Sequence, residues 1–416
     1  MMTSERVSSV IKDTPLRGWL VILLFRLQES SIVLNSFTLG LFLPFITVDL
    51  KLSSLEAGLL QGIWWITSAT LMLPFGTWFS RFRPVPLVTI SLILLVPFIF
   101  FQGLAGSFLA LFTIRFFLVL FRTFTAPAQS MILQQWAARK HYALINSFGL
   151  AQHSILLAIV VSFSAMAITF IGSWQTTYFL IGLFLLLQLV IWMIVSKERH
   201  APVKDLQRAL AAQTGTPLKA IRVYPQAWLL GITMFGLGAT WTAVVTFLPT
   251  FILEERQIPL TLSGPILGFL YYALIPSALV GGVFAGKVKN RKLLLWLPAL
   301  LNMLFGIGLA IIPNQILIIS FIAGIGMVWM ASPAIQVLPF EFPGITPREV
   351  SVVNSLVRTC MGLGFAAGPV VTGLVAEISG SIQMGLIVMS LMTGIGVVSG
   401  LLYPNSDSHI NSNTAK

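Results

Sequence analysis

Residues 174–195 read WQTTYFLIGLFLLLQLVIWMIV, a run of 22 residues without a single Asp, Glu, Lys or Arg. An α-helix rises about 1.5 Å per residue, so about 20 mostly apolar residues cross the roughly 30 Å hydrocarbon core of a bilayer. A run of this length and composition predicts a helix that spans a membrane.

Similar apolar runs occur along the whole chain, and together they predict twelve spans. Their approximate bounds are 19–46, 57–79, 85–101, 108–133, 143–170, 174–195, 227–253, 263–285, 293–312, 316–338, 350–378 and 382–403. The sequence therefore predicts an all-α integral membrane protein.

The amino-acid composition excludes two other classes of protein. Charged residues make up 9% of the chain and hydrophobic residues 56%, whereas a soluble surface carries about 25–35% charged residues. The 25 Lys and Arg against 13 Asp and Glu leave a net charge of +12. These basic residues separate apolar runs and form no patch for nucleic acid.

The one cysteine, Cys360, forms no disulfide within the chain, and no cleavable signal peptide is expected.

The longest polar interval, residues 197–225, lies between the sixth and seventh predicted spans and carries eight charged residues and three prolines. It predicts an N-terminal bundle at 1–196, a linker at 197–225, a C-terminal bundle at 226–403 and a tail at 404–416. Nineteen basic residues fall on the side of the termini and linker, and two fall on the other side. Since cytoplasmic loops are rich in Lys and Arg, we expect both termini and the linker in the cytoplasm of a bacterium, with the spans in its inner membrane.

The two predicted bundles share short sequence motifs at a nearly constant offset. The pairs are Phe42-Leu43-Pro44 with Phe247-Leu248-Pro249, Gly76 with Gly282, Ala126-Pro127-Ala128 with Ser332-Pro333-Ala334, and Asn146-Ser147 with Asn354-Ser355, at offsets of 205 to 208. Four pairs in the same order predict two homologous six-helix bundles with the same orientation in the membrane.

With these features the chain resembles the major facilitator superfamily over essentially its whole length. That family carries a Gly-x-x-x-Asp-Arg-x-Gly-Arg-Arg type motif after the second span, where this chain has Gly76 and Arg81 but Ser80 in place of Asp. The second copy has Gly282 and Lys287. The resemblance implies a conformational latch at Gly76, Arg81, Gly282 and Lys287, in a form that lacks the Asp of the family motif.

Two further stretches add to the resemblance. The run Gly364-Phe365-Ala366-Ala367-Gly368-Pro369 is similar to the glycine-rich eleventh helix of many members, and its glycine spacing predicts close helix contact. The stretch from Leu338-Pro339 to Asn354 weakly resembles cyanate-transporter-like and anion-symporter-like branches.

Ionisable side chains inside a membrane are costly and are functional candidates by default. Arg115, at a position where the family commonly has an arginine, and Arg122 lie seven residues apart, on one face of the fourth span. An arginine fork suits a carboxylate or phosphate-like ligand, so both are candidate substrate-binding residues. For Arg115 the alternative is hydrogen bonding to backbone carbonyls and polar side chains of other helices.

Arg358 lies in the opposite half, in the eleventh span, so one anion held by Arg122 and Arg358 would couple binding to the movement of the halves. The alternative is an ion pair between Arg358 and Glu29. Glu29 is a candidate proton carrier or the partner of Arg26 in a local pair. His153 is a secondary candidate for proton coupling, or a hydrogen-bonded packing residue.

The repeat also suggests residues on opposite walls of a central cavity. At an offset of 206, Trp65 corresponds to Tyr271 and Asn35 corresponds to Trp241. We list all four as candidate substrate-binding residues, the alternative for each aromatic being core packing.

The sequence predicts a secondary active transporter that moves a small organic or inorganic anion by alternating access, with proton symport as one form of coupling. The alternatives are a multidrug or neutral-metabolite efflux transporter of the same fold, or a membrane-embedded enzyme or sensor. No nucleotide-binding loop or metal-ligand cluster is present in the sequence. We expect no cofactor, no metal and no nucleic acid, and a monomer surrounded by membrane lipid.

Overall fold

A computed structural model describes residues 13–79, 82–125, 127–138, 141–198, 219–288, 290–345 and 347–404. Apart from turns and short connections, these residues are helical. Ten of the helices they form are long and apolar enough to cross a membrane by length and composition. Each of the twelve predicted spans coincides with a helix or an interrupted helix, and every predicted end falls within four residues of the observed one.

We number the spanning helices α1 to α12. The first six are α1 (Leu16–Phe37 continued by Leu39–Leu50), α2 (Ser54–Phe79), α3 (Pro84–Gln102), α4 (Phe108–Arg122 and Ala128–Trp136), α5 (Tyr142–Ile171) and α6 (Trp174–Val195). The others are α7 (Gln226–Glu254), α8 (Leu260–Lys287), α9 (Leu293–Ile311), α10 (Gln315–Val328 and Ala331–Val337), α11 (Pro347–Ser379) and α12 (Ile382–Met392 and Gly394–Leu402). Short 3₁₀ turns cover Thr123–Thr125 in α4 and Leu338–Glu341 after α10.

Helices α4 and α10 are interrupted at equivalent positions. The first segment of α4 is capped by Thr123 and that of α10 by Trp329, which is the 206-residue offset of the sequence repeat. The internal repeat therefore extends from sequence to backbone geometry, as two homologous bundles require.

We call the end of the molecule where α6 ends and α7 begins the linker end, and the opposite end the far end. At the far end the two bundles are in close contact. A Cβ atom built on Gly40 would overlap the carbonyl oxygen of Val245, and one built on Gly58 would overlap that of Pro369. These backbone approaches need glycine, because any side chain would push the two bundles apart.

A hydrogen bond between the halves accompanies this contact. The backbone N–H of Leu55, at the start of α2, donates to Glu377 Oε2 near the end of α11 at 3.0 Å. Gly373, one turn before Glu377, lies against the carbonyl of Ser54. The far end is thus sealed by α2 against α11 as well as by α1 against α7.

Within the second half, α11 packs against α7 through its glycines. Cβ atoms on Gly364 and Gly368 would overlap the carbonyl oxygens of Phe235 and Ala239, one turn apart on α7. The close contact predicted from the spacing of these two glycines is confirmed.

Several predictions concern the linker end. Gly76 lies near the end of α2, and Gly282 and the exposed Lys287 near the end of α8. Arg81 and most of the predicted linker lie outside the described residues, so the latch and the domain boundaries stay predictions. The loop after α8 is held instead by Arg291, whose Nη2 lies 2.5 Å from Glu341 Oε1.

Candidate functional site

Arg115 is completely buried between α4, α2 and α3. Its Nε donates to the carbonyl oxygen of Leu60 at 2.8 Å, Nη1 to Gln102 Oε1 at 3.2 Å and Nη2 to Gln61 Oε1 at 3.3 Å. All three guanidinium nitrogens therefore donate to protein acceptors. This is the alternative role considered for Arg115, hydrogen bonding to a backbone carbonyl and to polar side chains of other helices.

The two glutamines that hold Arg115 are themselves tied to α1. Gln102 Nε2 donates to Asn35 Oδ1 at 3.4 Å, and Gln61 Nε2 donates to Ser36 Oγ at 3.2 Å. Asn35 is fully buried, so the structure places this candidate within the Arg115 network. These hydrogen bonds join α1, α2, α3 and α4 around one buried guanidinium and fix their relative positions.

Trp64 explains how two arginines share one buried face of α4. The Cζ atoms of Arg115 and Arg122 lie 5.5 Å and 5.8 Å from the centre of the Trp64 ring. Both guanidinium groups are thus within cation–π range of one indole, and each such contact contributes about 0.5–2 kcal/mol.

Arg122 is held much more loosely than Arg115. Its Nη2 lies 3.7 Å from Glu29 Oε2, an ion pair longer than a hydrogen bond, and its Nε is buried without a hydrogen-bond partner. The side chains of Arg122 and Glu29 keep 21% and 27% of their surface accessible. This guanidinium therefore has donors to spare and access to solvent.

Glu29 receives a second contact from the interrupted part of α4. Thr125 Oγ1 lies 2.9 Å from Glu29 Oε1 and 2.8 Å from the carbonyl oxygen of Arg122, so its one proton serves one of them at a time. The break after Arg122 is what turns Thr125 toward α1. The ion pair that Glu29 makes among the described residues is with Arg122, rather than with Arg358.

Polar groups of α1, α4 and α5 continue from this pair. His153 Nδ1 lies 3.0 Å from the Oγ of Ser30, the residue after Glu29. The amide of Gln129, with its oxygen turned toward Arg26, accepts from Nη1 and Nη2 of that residue at 2.9 Å and 3.0 Å. Glu29, His153 and Arg26 thus lie in one polar region of the first half.

Arg358 lies on α11 in the second half with its side chain exposed. Its Nη2 donates to Gln336 Oε1 of α10 at 3.4 Å, a long hydrogen bond to a neutral acceptor. By helical rise, Arg358 is about 16 Å from the linker-end start of α11, and Glu29 is about 20 Å from that of α1. Arg358 and Glu29, the ion-pair partner of Arg122, therefore lie at similar depths.

Six aromatic side chains form a closed ring of contacts near the middle of the molecule, which we call the aromatic collar. Its members, in order around the ring, are Phe37, Trp65, Phe365, Trp329, Trp241 and Tyr271, with successive centroid distances of 5.7, 4.6, 5.8, 5.2, 5.7 and 5.7 Å. The first half supplies Phe37 and Trp65, and the second half supplies the rest. The contacts of Phe37 with Tyr271 and of Trp65 with Phe365 therefore join the halves.

The structure brings Trp65, Trp241 and Tyr271 into one ring of contacts, in which Trp241 and Tyr271 are buried, and places Asn35 in the Arg115 network. Sequence reasoning missed Trp64, Phe37, Trp329 and Phe365. Trp329 carried a signal, since it marks the repeat-equivalent break in α10, and Phe365 lies within the glycine-rich run.

Comparisons with known proteins identify the family. A family model described as Major Facilitator Superfamily matches residues 29–345. The chain is 23% identical over 361 residues to the nitrite extrusion protein of Bacillus subtilis, covering 83% of this chain and 84% of that protein. It is 22% identical over 387 residues to the probable sulfoacetate transporter SauU of Cupriavidus necator, covering 86% of this chain and 87% of that protein.

A solved structure shows the same fold. The crystal structure of a bacterial homologue of the human lysosomal transporter Spinster, in an inward-facing and occupied conformation, superposes with a TM-score of 0.76 at 14% identity. The similarity covers 92% of this chain and 96% of that one.

Proposed function

The chain belongs to the Major Facilitator Superfamily of transporters, and from this premise we propose that it carries a small anion on Arg122 and Arg358. The observation that carries this proposal is the unfilled bonding capacity of Arg122. A buried donor without a partner is costly, and a carboxylate, sulfonate or nitrogen oxyanion would fill it with a charge-assisted hydrogen bond. The names of the two relatives, for nitrite and for sulfoacetate, support an anion.

The second half contributes Arg358. Because its described hydrogen bond is a long one to the neutral Gln336, its cationic charge is available to a ligand that already contacts Arg122. An anion held from both halves would favour their approach at the linker end and the parting of the far-end contacts. We take the far end to be external, with both termini in the bacterial cytoplasm, so that this structure is the inward-facing state of alternating access.

Arg115 is left out of the proposed ligand contacts. Its three nitrogens already donate to Leu60, Gln102 and Gln61, and it is inaccessible. We assign Arg115 the role of holding Trp64 and α2 in place beside Arg122. This role depends on the positive charge and the planar geometry of its guanidinium group.

Glu29 gives the proposed anion site a route to proton coupling. When an anion replaces the Glu29 carboxylate on Arg122, Glu29 loses its cationic partner, and the site then carries one uncompensated negative charge. One proton taken up by Glu29 for each monovalent anion would make the loaded site electrically equal to the empty one. His153, which contacts Ser30 next to Glu29 in the chain, is a secondary candidate for proton coupling.

Uptake into proteoliposomes tests the proposal, with nitrite and sulfoacetate as probes. We expect Arg122→Gln to lower uptake about 10- to 100-fold, because a hydrogen bond to a charged group is worth about 1.5–3 kcal/mol, and Arg358→Gln to lower it by a smaller factor. Lys51→Gln removes an exposed positive charge at the far end and should leave uptake unchanged. Unchanged uptake and affinity in the double variant of Arg122 and Arg358 would exclude this anion site.

A further inference from the structure

We infer that the aromatic collar is the second part of the same site and selects anions with a planar, apolar body, such as aromatic carboxylates and sulfonates. This inference rests on the proposed anion site at Arg122. It concerns what surrounds the uncharged part of the ligand, which the arginines do not determine.

The collar is continuous with the anion site along α2. Trp64 carries the Arg122 guanidinium on its ring, and the next residue, Trp65, belongs to the collar. The Cζ atom of Arg122 lies 5.8 Å from the centre of the Trp64 ring, so its guanidinium is at the level of the turn of α2 that carries Trp65. A ligand with its anionic group on Arg122 would therefore meet the collar with its remaining atoms.

Two members of the collar are accessible. Trp65 and Trp329 are half-buried, whereas Phe37, Trp241, Tyr271 and Phe365 are buried. Phe365 contacts both accessible indoles, at 4.6 Å and 5.8 Å, so Trp65 and Trp329 flank one buried ring. One of these indoles belongs to each half, so both halves would contact the apolar body of a single ligand.

The accessible indole of the first half also has a free donor. Trp65 Nε1 is buried without a hydrogen-bond partner, although a buried indole N–H usually finds one. The hydroxyl of the fully buried Tyr271 is likewise without a partner. The collar therefore contains unfilled hydrogen-bond donors beside its apolar ring faces.

This arrangement favours an aromatic body over a small one. The two half-buried indoles offer ring faces that gain contact area and favourable offset or edge-to-face geometry from another ring. A one- or two-carbon anion would satisfy Arg122 and leave these faces uncovered. The collar should therefore raise affinity for the aromatic member of a pair of anions with the same charged group.

Binding measurements on the purified full-length protein by isothermal titration test this inference with two matched pairs: acetate against benzoate, and methanesulfonate against benzenesulfonate. We expect the aromatic member to bind about tenfold or more tightly in the unchanged protein. Trp329→Leu should remove this preference while affinity for acetate and methanesulfonate stays the same, and Trp329→Phe should keep most of it.

The retained affinity for acetate shows that the Trp329→Leu protein is folded, and Trp65→Leu provides an independent variant from the other half. Trp228→Leu, which changes an exposed tryptophan outside the collar, should keep the full preference. Equal affinities within each pair, with binding still dependent on Arg122, would overturn the collar inference and leave the anion site standing. Failure of all four anions, nitrite and sulfoacetate to bind would overturn both.

Discussion

Arg115 and Arg122 are the same residue type, two turns apart on one face of α4, and both contact the ring of Trp64. Arg115 donates to three protein oxygens and is inaccessible, whereas Arg122 has one 3.7 Å ion pair, a free Nε and an accessible surface. A charge inside a membrane is therefore a candidate for ligand binding where the protein leaves its hydrogen-bonding capacity unfilled. The same charge, fully satisfied, is part of the framework.

The largest expected effect is a difference in thermal stability between variants of Arg115 and variants of Arg122. Arg115→Gln removes the donors for Leu60, Gln102 and Gln61, and each acceptor left unpaired costs about 1–3 kcal/mol. We expect a protein with low yield and a much lower midpoint of thermal unfolding in detergent, whereas Arg122→Gln should unfold near the midpoint of the unchanged protein. The structural role assigned to Arg115 would be wrong if Arg115→Gln were as stable as the unchanged protein but no longer bound nitrite or sulfoacetate.

A smaller loss of stability is expected when one acceptor of Arg115 is changed. Gln61→Leu keeps the approximate volume but leaves Arg115 Nη2 and Ser36 Oγ without this partner, at a cost of about 1–3 kcal/mol. The unfolding midpoint should fall while the affinity for anions stays unchanged, because Gln61 contacts Arg115 and not Arg122. Loss of anion affinity at an unchanged midpoint would contradict the division of roles.

The smallest expected effect tests whether the planar guanidinium of Arg122, and not only its positive charge, contributes to anion affinity. Arg122→Lys keeps the positive charge but loses the planar fork, so we expect about a tenfold weaker affinity, equivalent to about 1.4 kcal/mol, with little change in stability. Isothermal titration with nitrite and sulfoacetate measures it, and Lys51→Arg serves as the control exchange outside the site. An unchanged affinity would mean that Arg122 acts only through its charge.

The helices were predictable because length and apolarity determine them. All twelve runs became helices or interrupted helices with ends within four residues, and the repeat of Phe42-Leu43-Pro44 and its companions predicted two equivalent bundles. The breaks after Arg122 and Val328 were not predicted, although the sequence holds their cause: Pro127 and Pro333 cannot donate to the carbonyls of Thr123 and Trp329, four residues earlier.

The candidate site was predictable in its residue types but not in its partners. Arg122 and Glu29 were identified singly, yet their pairing depends on how α1 lies beside α4. Whether Arg115 is satisfied depends on Gln61 and Gln102, which come from two other helices. The collar uses six of 48 aromatic residues, and only packing between helices distinguishes these from the rest.

The central claim is that an anion replaces Glu29 on Arg122, and proton uptake upon binding tests it most directly. Purified protein in weakly buffered detergent solution at neutral pH, with a pH indicator, is mixed with saturating nitrite, a monovalent anion. We expect the unchanged protein to take up close to one proton per bound monovalent anion. Glu29→Gln should take up none, although it should still bind the anion. Anion binding without proton uptake, or uptake that persists in Glu29→Gln, would contradict it.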